Sequence, residues 1–188
     1  GRASGEAGRQ GCHLGVSEGP VPRGERVVVT RLAELEEGGF GDGAAAVVLQ
    51  PTENEEGLVG NVMGCDAEAR ASLRVRGFGC TYSGLDISFG DTIWDFDGQV
   101  IFKRAVHNMA EASVRVLKER GLTAEDVQIV VPHQANLRII EAVAKYAGVP
   151  MSKVMVTVQK YGNMSAATVP VALVEALEEG RITPGCNI

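Results

Sequence analysis

From residue 100 onward the apolar positions fall into two alternating rhythms. Over residues 100–120, Phe102, Val106, Met109, Val116 and Leu117 lie near one face of a 3.6-residue repeat, which predicts an amphipathic helix. Gly121 supplies its stop. Residues 136–147 repeat the pattern with Leu137, Ile140, Val143 and Ala144 inward and Gly148 as the stop. Residues 165–179 predict a last helix ended by Gly180. Pro170 within it removes one backbone donor, so either a kink or a later helix start is expected. Between these helices lie two short apolar runs, VQIVV (127–131) and VMVTV (154–158). Both have the length and composition of buried strands, and Pro132 ends the first. The TAED stretch at 123–126 is expected to cap a short helical turn. From residue 127 the order is strand, helix, strand, helix. Short crossovers of this kind place the strands parallel.

Upstream the pattern is weaker. FGDGAAAVVLQ (40–50) reads as a glycine turn feeding a small-residue strand, and residues 51–57 are a polar break. Residues 58–63 and 73–78 are strand candidates, and residues 80–91 form a glycine-punctuated loop. Residues 1–39 have no aromatic side chain, no Asp and no Lys, but five Arg and nine Gly. Only RVVVT (26–30) resembles a strand there. Such a stretch buries little apolar area and is expected to be a flexible or non-native lead. At the other end, residues 181–185 read as a turn into a further strand that is absent, so the sheet is expected to be truncated.

Composition changes this picture little. The 188 residues are 45% hydrophobic and 22% charged, ordinary for a soluble globular protein. A net charge of −6 argues against nucleic acid as the main partner, because no basic excess meets phosphates. Cys12, Cys65, Cys80 and Cys186 form neither a paired-cysteine motif nor a Cys/His cluster with zinc spacing. They read as thiols of a reducing compartment, and no metal site is expected. No apolar run has the length of a membrane span and no signal-peptide pattern opens the chain. A cytoplasmic location follows as the expectation.

The candidate chemistry lies at the ends of the two apolar runs. His133 stands in VPHQAN (131–136) and Asn163 in KYGNMSAA (160–167). Alone, His133 is most simply a strand-end histidine satisfied by backbone, and Asn163 a turn or cap residue. Together they follow the carboxyl ends of successive parallel strands, the edge at which open α/β folds bind ligands. A neutral imidazole and a side-chain amide there can hold a developing oxyanion. Arg138 and Lys145 share the exposed side of the 136–147 helix, as a solvated face or as a docking patch for an acidic partner. His107 reads as a surface helical residue, His13 carries little signal, and Asp42 reads as a turn former. Trp94 fits either core or pocket lining.

These strings resemble the beta-ketoacyl-acyl-carrier-protein synthase III family. The likeness runs from residue 40 to 185 through FGDGAAAVVL (40–49), DGQVIFKRAV (97–106), VPHQANLRII (131–140), YGNMSAATVPVAL (161–173) and EEGRITPG (178–185). The resemblance implies a thiolase-like α/β fold, two similar halves packed as an α/β/α/β/α sandwich. Residues 40–50 would end the first half and residues 51–188 would form most of the second, without its last strands. It also implies a decarboxylative Claisen condensation of an acyl-CoA primer with malonyl-acyl carrier protein, the step that starts fatty-acid synthesis. Substrates are then acyl-CoA and malonyl-acyl carrier protein, with no cofactor. The family's catalytic histidine matches His133 and its asparagine matches Asn163. Asn136 matches a residue that binds the pantetheine arm, and Gly98, Phe102, Ala135 and Ile139 match its tunnel lining. Arg138 and Lys145 match the basic surface that receives the carrier protein. A homodimer is implied for the full-length protein, with neither nucleic acid nor membrane as partner.

One departure is large. The family's nucleophile stands in an Ala-Cys-x-Gly-Phe motif well before FGDG, and none of the four cysteines has those neighbours. The expectation is a portion of a condensing enzyme carrying two of three catalytic residues, inactive in condensation by itself. Two other readings stay open. One is a related thiolase-fold acyltransferase using another acyl-CoA or acceptor. The other is a non-catalytic domain that binds the carrier protein or dimerises.

Overall fold

The computed structural model describes residues 33–35, 41–47, 57–76 and 93–188. The strand expected at 26–30, the loop at 80–91, and His13, Cys12 and Cys80 lie outside the described residues, as does the side chain of Trp94.

Three helices carry the packing. α1 (Gly98–Glu119) begins where the Asp97 carboxylate accepts the Val100 N–H at 3.1 Å, satisfying one of the donors a helix start leaves over. It ends at Gly121, whose φ of 69° lets the Leu122 N–H fold back to the Leu117 carbonyl at 2.9 Å. α2 (Leu137–Ala147) is capped by Asn136 and closed by Gly148 in the left-handed region. After the single-turn α3 (Val158–Tyr161) and a 3-10 turn over Ser165–Ala167 comes α4 (Thr168–Glu178). Pro170 is the third residue of α4, in the first turn, where a missing N–H costs nothing. The helix starts late, so the proline breaks no hydrogen bond.

The two apolar runs lie side by side and parallel, as their order predicts. Val130 bridges Val154, and Val127 bridges Asn187. Their side chains alternate between two faces with period two. Ile129, Val131 and Met155 pack with Ala172 and Ala176 of α4. Val130, Val154 and Val156 pack with Ile140 and Ala144 of α2. α1 lies beside α2, with Val106 and Ala110 against Ile139 and Val143. A helix therefore covers each face of a parallel layer, the arrangement that doubly covered sheets require.

Several expectations are corrected. The runs at 127–131 and 154–158 form bridges, not full strands. Pro132 ends the first. The second stops because Gln134 takes the N–H groups of Thr157 and Val158 and α3 begins at once. Residues 58–63 form no strand; here Gly60 lies against Val116 of α1 and Arg120 just after it. Gly41–Gly43, expected as a turn, form β2, paired antiparallel with β1 (Ala33–Leu35), a strand the sequence pattern did not signal; residues 44–47 form no strand, and residues 48–50 lie outside the described residues. That pairing crosses the compositional change at 39/40. The 73–78 candidate is β3 (Leu73–Arg76), antiparallel to β4 (Ile93–Phe96). Residues 123–126 form a turn without helix: the Thr123 N–H and hydroxyl both donate to the Asp126 carboxylate at 2.8 and 2.7 Å. These donors hold the Asp126 carboxyl below its usual range. The end of the chain is engaged too, because Gln128 N–H donates to the Asn187 carbonyl at 2.9 Å.

Candidate active site

His133 sits where the first parallel segment ends, and its neighbour fixes the loop. Gln134 is fully buried. Its amide NH2 donates to the Pro132 carbonyl at 2.9 Å and the Met155 carbonyl at 3.1 Å. Its Oε1 accepts the N–H groups of Thr157 and Val158 at 2.8 and 3.2 Å. Both donors and both lone pairs of the side chain are used. One amide thereby joins the loop of His133 to the segment that leads into Asn163.

Asn163 follows Gly162, whose φ of 65° turns the chain out of α3. The segment before it is anchored to α4: Lys160 Nζ donates to the buried Glu175 carboxylate at 2.8 and 3.1 Å, and the Tyr161 hydroxyl donates to the same carboxylate. On the other side the Gly41 N–H donates to the Asn163 carbonyl at 3.1 Å. The β1–β2 hairpin thus leans directly on the asparagine turn. Gly43 makes that approach possible, since a Cβ there would lie 2.4 Å from Met164 Sδ.

The two candidate side chains meet at one structural feature, the turn 165–168. Asn163 Oδ1 accepts the Ser165 N–H at 3.0 Å. The Thr168 hydroxyl lies 2.9 Å from the Ser165 carbonyl oxygen and 2.5 Å from His133 Nδ1. Ser165 itself holds a φ of 54°, a conformation that non-glycine residues adopt rarely. Each candidate side chain has one end fixed. Asn163 keeps its NH2 and His133 keeps Nε2 without a hydrogen-bond partner among the described residues. His133 is half-buried, and burial pushes its imidazole below the ordinary value of 6.5. The ring is therefore neutral at physiological pH. An amide and a neutral imidazole held this way are suited to an oxygen that gains negative charge.

The remaining predicted residues are distributed along α1 and α2. Asn136 is exposed and uses its Oδ1 to accept the Ile139 N–H at 2.9 Å, capping α2; its NH2 is left as a donor. Ile139 belongs to the α1–α2 core, and Phe102 and Ala135 pack against that cluster. Gly98 is exposed at the first residue of α1. Phe102 also borders a surface groove between α1 and α2 with Val106, Ala110 and Tyr146, which Gly98, Ala135 and Ile139 do not line. Arg138 and Lys145 are both exposed on α2, and His107 is exposed on α1 with Glu111 at 3.5 Å. Cys65 is exposed and Cys186 half-buried. Among the described residues no helix is long and apolar enough to cross a membrane.

Gln134, Thr168 and Gly43 position the pair yet were not among the predicted site residues. A glutamine directly after the histidine at the end of an apolar run was the available signal for the first. The other two gave none, because their roles depend on contacts across 35 and 121 residues of chain, respectively.

Residues 117–188 match the model of the 3-oxoacyl-[acyl-carrier-protein] synthase III C-terminal family. The chain is 49% identical over 145 residues to beta-ketoacyl-[acyl-carrier-protein] synthase III 2 of Vibrio cholerae, covering 77% of this chain and 40% of that protein. It is 45% identical over 148 residues to the synthase III of Roseiflexus sp., covering 78% and 45%. Among solved structures, the synthase III of Thermus thermophilus superposes with a TM-score of 0.69 at 38% identity, covering 78% of this chain and 45% of that one. The Aquifex aeolicus enzyme gives 0.68 at 37% identity, covering 78% and 44%. The fold over the matched portion is the thiolase-like α/β fold of these proteins. The chain spans less than half the length of the relatives it matches.

Proposed function

We propose that this chain, which is homologous to the C-terminal portion of the 3-oxoacyl-[acyl-carrier-protein] synthase III family, supplies the decarboxylating pair of an acyl-condensing enzyme. The substrate is malonyl-acyl carrier protein. Asn163 NH2 and His133 Nε2–H donate to its thioester oxygen. The bond between the malonyl methylene and its carboxylate breaks, carbon dioxide leaves, and the electron pair moves onto that oxygen as an enolate. The methylene carbon then attacks the carbonyl of an acyl group carried as a cysteine thioester. A carbon–carbon bond forms and the cysteine thiolate leaves.

The observation that supports this reading is the shared turn. Two neutral donors, each fixed through its other end to residues 165–168, favour the enolate over the starting thioester, the condition for a faster step. A carboxylate in either position would oppose it. Exposed Arg138 and Lys145 on α2 suit an acidic carrier protein, and the amide of Asn136 is a donor for the pantetheine arm. The acyl donor in this reading is an acyl-CoA, the full-length protein is a homodimer, and it works in the cytoplasm. The acyl-carrying cysteine is none of the four in this chain, because none has the Ala-Cys-x-Gly-Phe context. Carbon dioxide release from malonyl-acyl carrier protein by a full-length synthase carrying residues 40–188, with His133 or Asn163 replaced, tests the reading. Unchanged release overturns it.

A further inference from the structure

A neutral imidazole has one N–H, and the nitrogen that carries it decides whether His133 offers substrate a donor or a lone pair. Nothing in the ring itself makes that choice; the partner of Nδ1 does. That partner is Thr168, a fully buried side chain at the first residue of α4, with its hydroxyl 2.5 Å from Nδ1. The hydroxyl has one proton and two acceptors within reach, Nδ1 and the Ser165 carbonyl oxygen at 2.9 Å.

The two acceptors differ in need. The Ser165 oxygen already receives the backbone N–H of Thr168, the bond that closes the 3-10 turn. Nδ1 has no other partner among the described residues. The contact to Nδ1 is also the shorter. A hydroxyl proton placed on Nδ1 leaves both acceptors satisfied. Placed on Ser165, it requires the ring proton at Nδ1 and leaves Nε2 as a bare base.

We propose that Thr168 is a positioning residue that donates its hydroxyl proton to Nδ1 and so fixes His133 as the Nε2–H tautomer. This deepens the decarboxylation reading and rests on it for the use to which the Nε2–H is put. The tautomer itself is a property of the folded chain and is measured without substrate. Burial of the ring adds to the effect by keeping the second proton off.

The test is nitrogen-15 NMR of the 188-residue chain labelled at histidine. The chain has three histidines, His13, His107 and His133, and His133→Asn assigns the third by loss of its signals. Two-bond nitrogen–proton correlations at neutral pH report which nitrogen carries the proton. The expected result is a single Nε2–H form for His133, retained in Thr168→Ser. In Thr168→Val both ring nitrogens should shift toward the averaged values of an unrestrained histidine. An Nδ1–H form in the unsubstituted chain overturns the proposal, and so do unchanged ring shifts in Thr168→Val. Should Thr168→Val not fold, the unsubstituted and Thr168→Ser spectra still decide between Nε2–H and Nδ1–H. An Nε2–H ring combined with unimpaired carbon dioxide release after His133→Ala would sink the decarboxylation reading and leave this one standing.

Discussion

Gln134 Oε1 accepts the backbone N–H of Thr157 at 2.8 Å, deep in the protein. This bond couples the loop that carries His133 to the segment that carries Asn163. It also replaces the strand pairing that the run at 154–158 would otherwise continue.

Gln134→Ala strands the Thr157 N–H and the Met155 carbonyl together with the Pro132 carbonyl and the Val158 N–H. Buried groups left unpaired cost about 1–3 kcal/mol each, partly relieved where water enters. The expected loss is about 3 kcal/mol in urea unfolding. A loss under about 0.5 kcal/mol would mean that the amide does not hold the two segments together.

Gly43→Ala should separate the hairpin from the asparagine turn. The new Cβ would lie 2.4 Å from Met164 Sδ and 3.1 Å from Met164 Cβ, and Met164 is buried. Overpacking of this kind costs about 1–3 kcal/mol. Amide exchange at Gly41, whose N–H is bonded to the Asn163 carbonyl, should accelerate. Unchanged protection at Gly41 would show that the contact does not couple the two turns.

Stability should depend on pH through His133. Burial lowers its folded pKa below the ordinary 6.5, so the unfolded chain binds this proton more readily than the folded one. Stability from this group is fully present above the unfolded pKa and is lost as pH falls from there through the folded value. The denaturation midpoint should therefore fall as pH drops from neutral through 6.5 and below, and His133→Asn should flatten that part of the slope. An identical slope in the variant would contradict the burial of the ring.

The chain by itself should not condense acetyl-CoA with malonyl-acyl carrier protein. None of Cys12, Cys65, Cys80 and Cys186 stands in the nucleophile's sequence context. A turnover that disappears when one of these cysteines is replaced would show that the chain holds its own nucleophile.

Much of the second half was legible in the sequence, for local reasons. Helices α1 and α2 follow from apolar spacing, and their C-terminal ends follow from Gly121 and Gly148, residues that act on their own neighbours; the Asp97 and Asn136 caps at their starts emerge only in the structure. The parallel order followed from the alternation of elements. The extent of the strands did not, because Gln134 diverts the ladder at Thr157 through a contact 23 residues away. β1 was illegible for the same kind of reason: AEL (33–35) has no strand pattern of its own and is a strand only because Gly41–Gly43 pairs with it. In the site, His133 and Asn163 were visible from their strings. Thr168 and Ser165, which hold them, were not, because a threonine at a helix start signals only a helix.

The most direct measurement is carbon dioxide release from malonyl-acyl carrier protein by a full-length synthase carrying residues 40–188. Removing one donor from an oxyanion site costs about a hundredfold to a thousandfold in rate. His133→Ala and Asn163→Ala should each slow release by about that factor, while carrier-protein binding stays near the unsubstituted value. Release within about twofold of the unsubstituted rate in either variant, a loss of less than about 0.5 kcal/mol of transition-state stabilisation, would contradict the account.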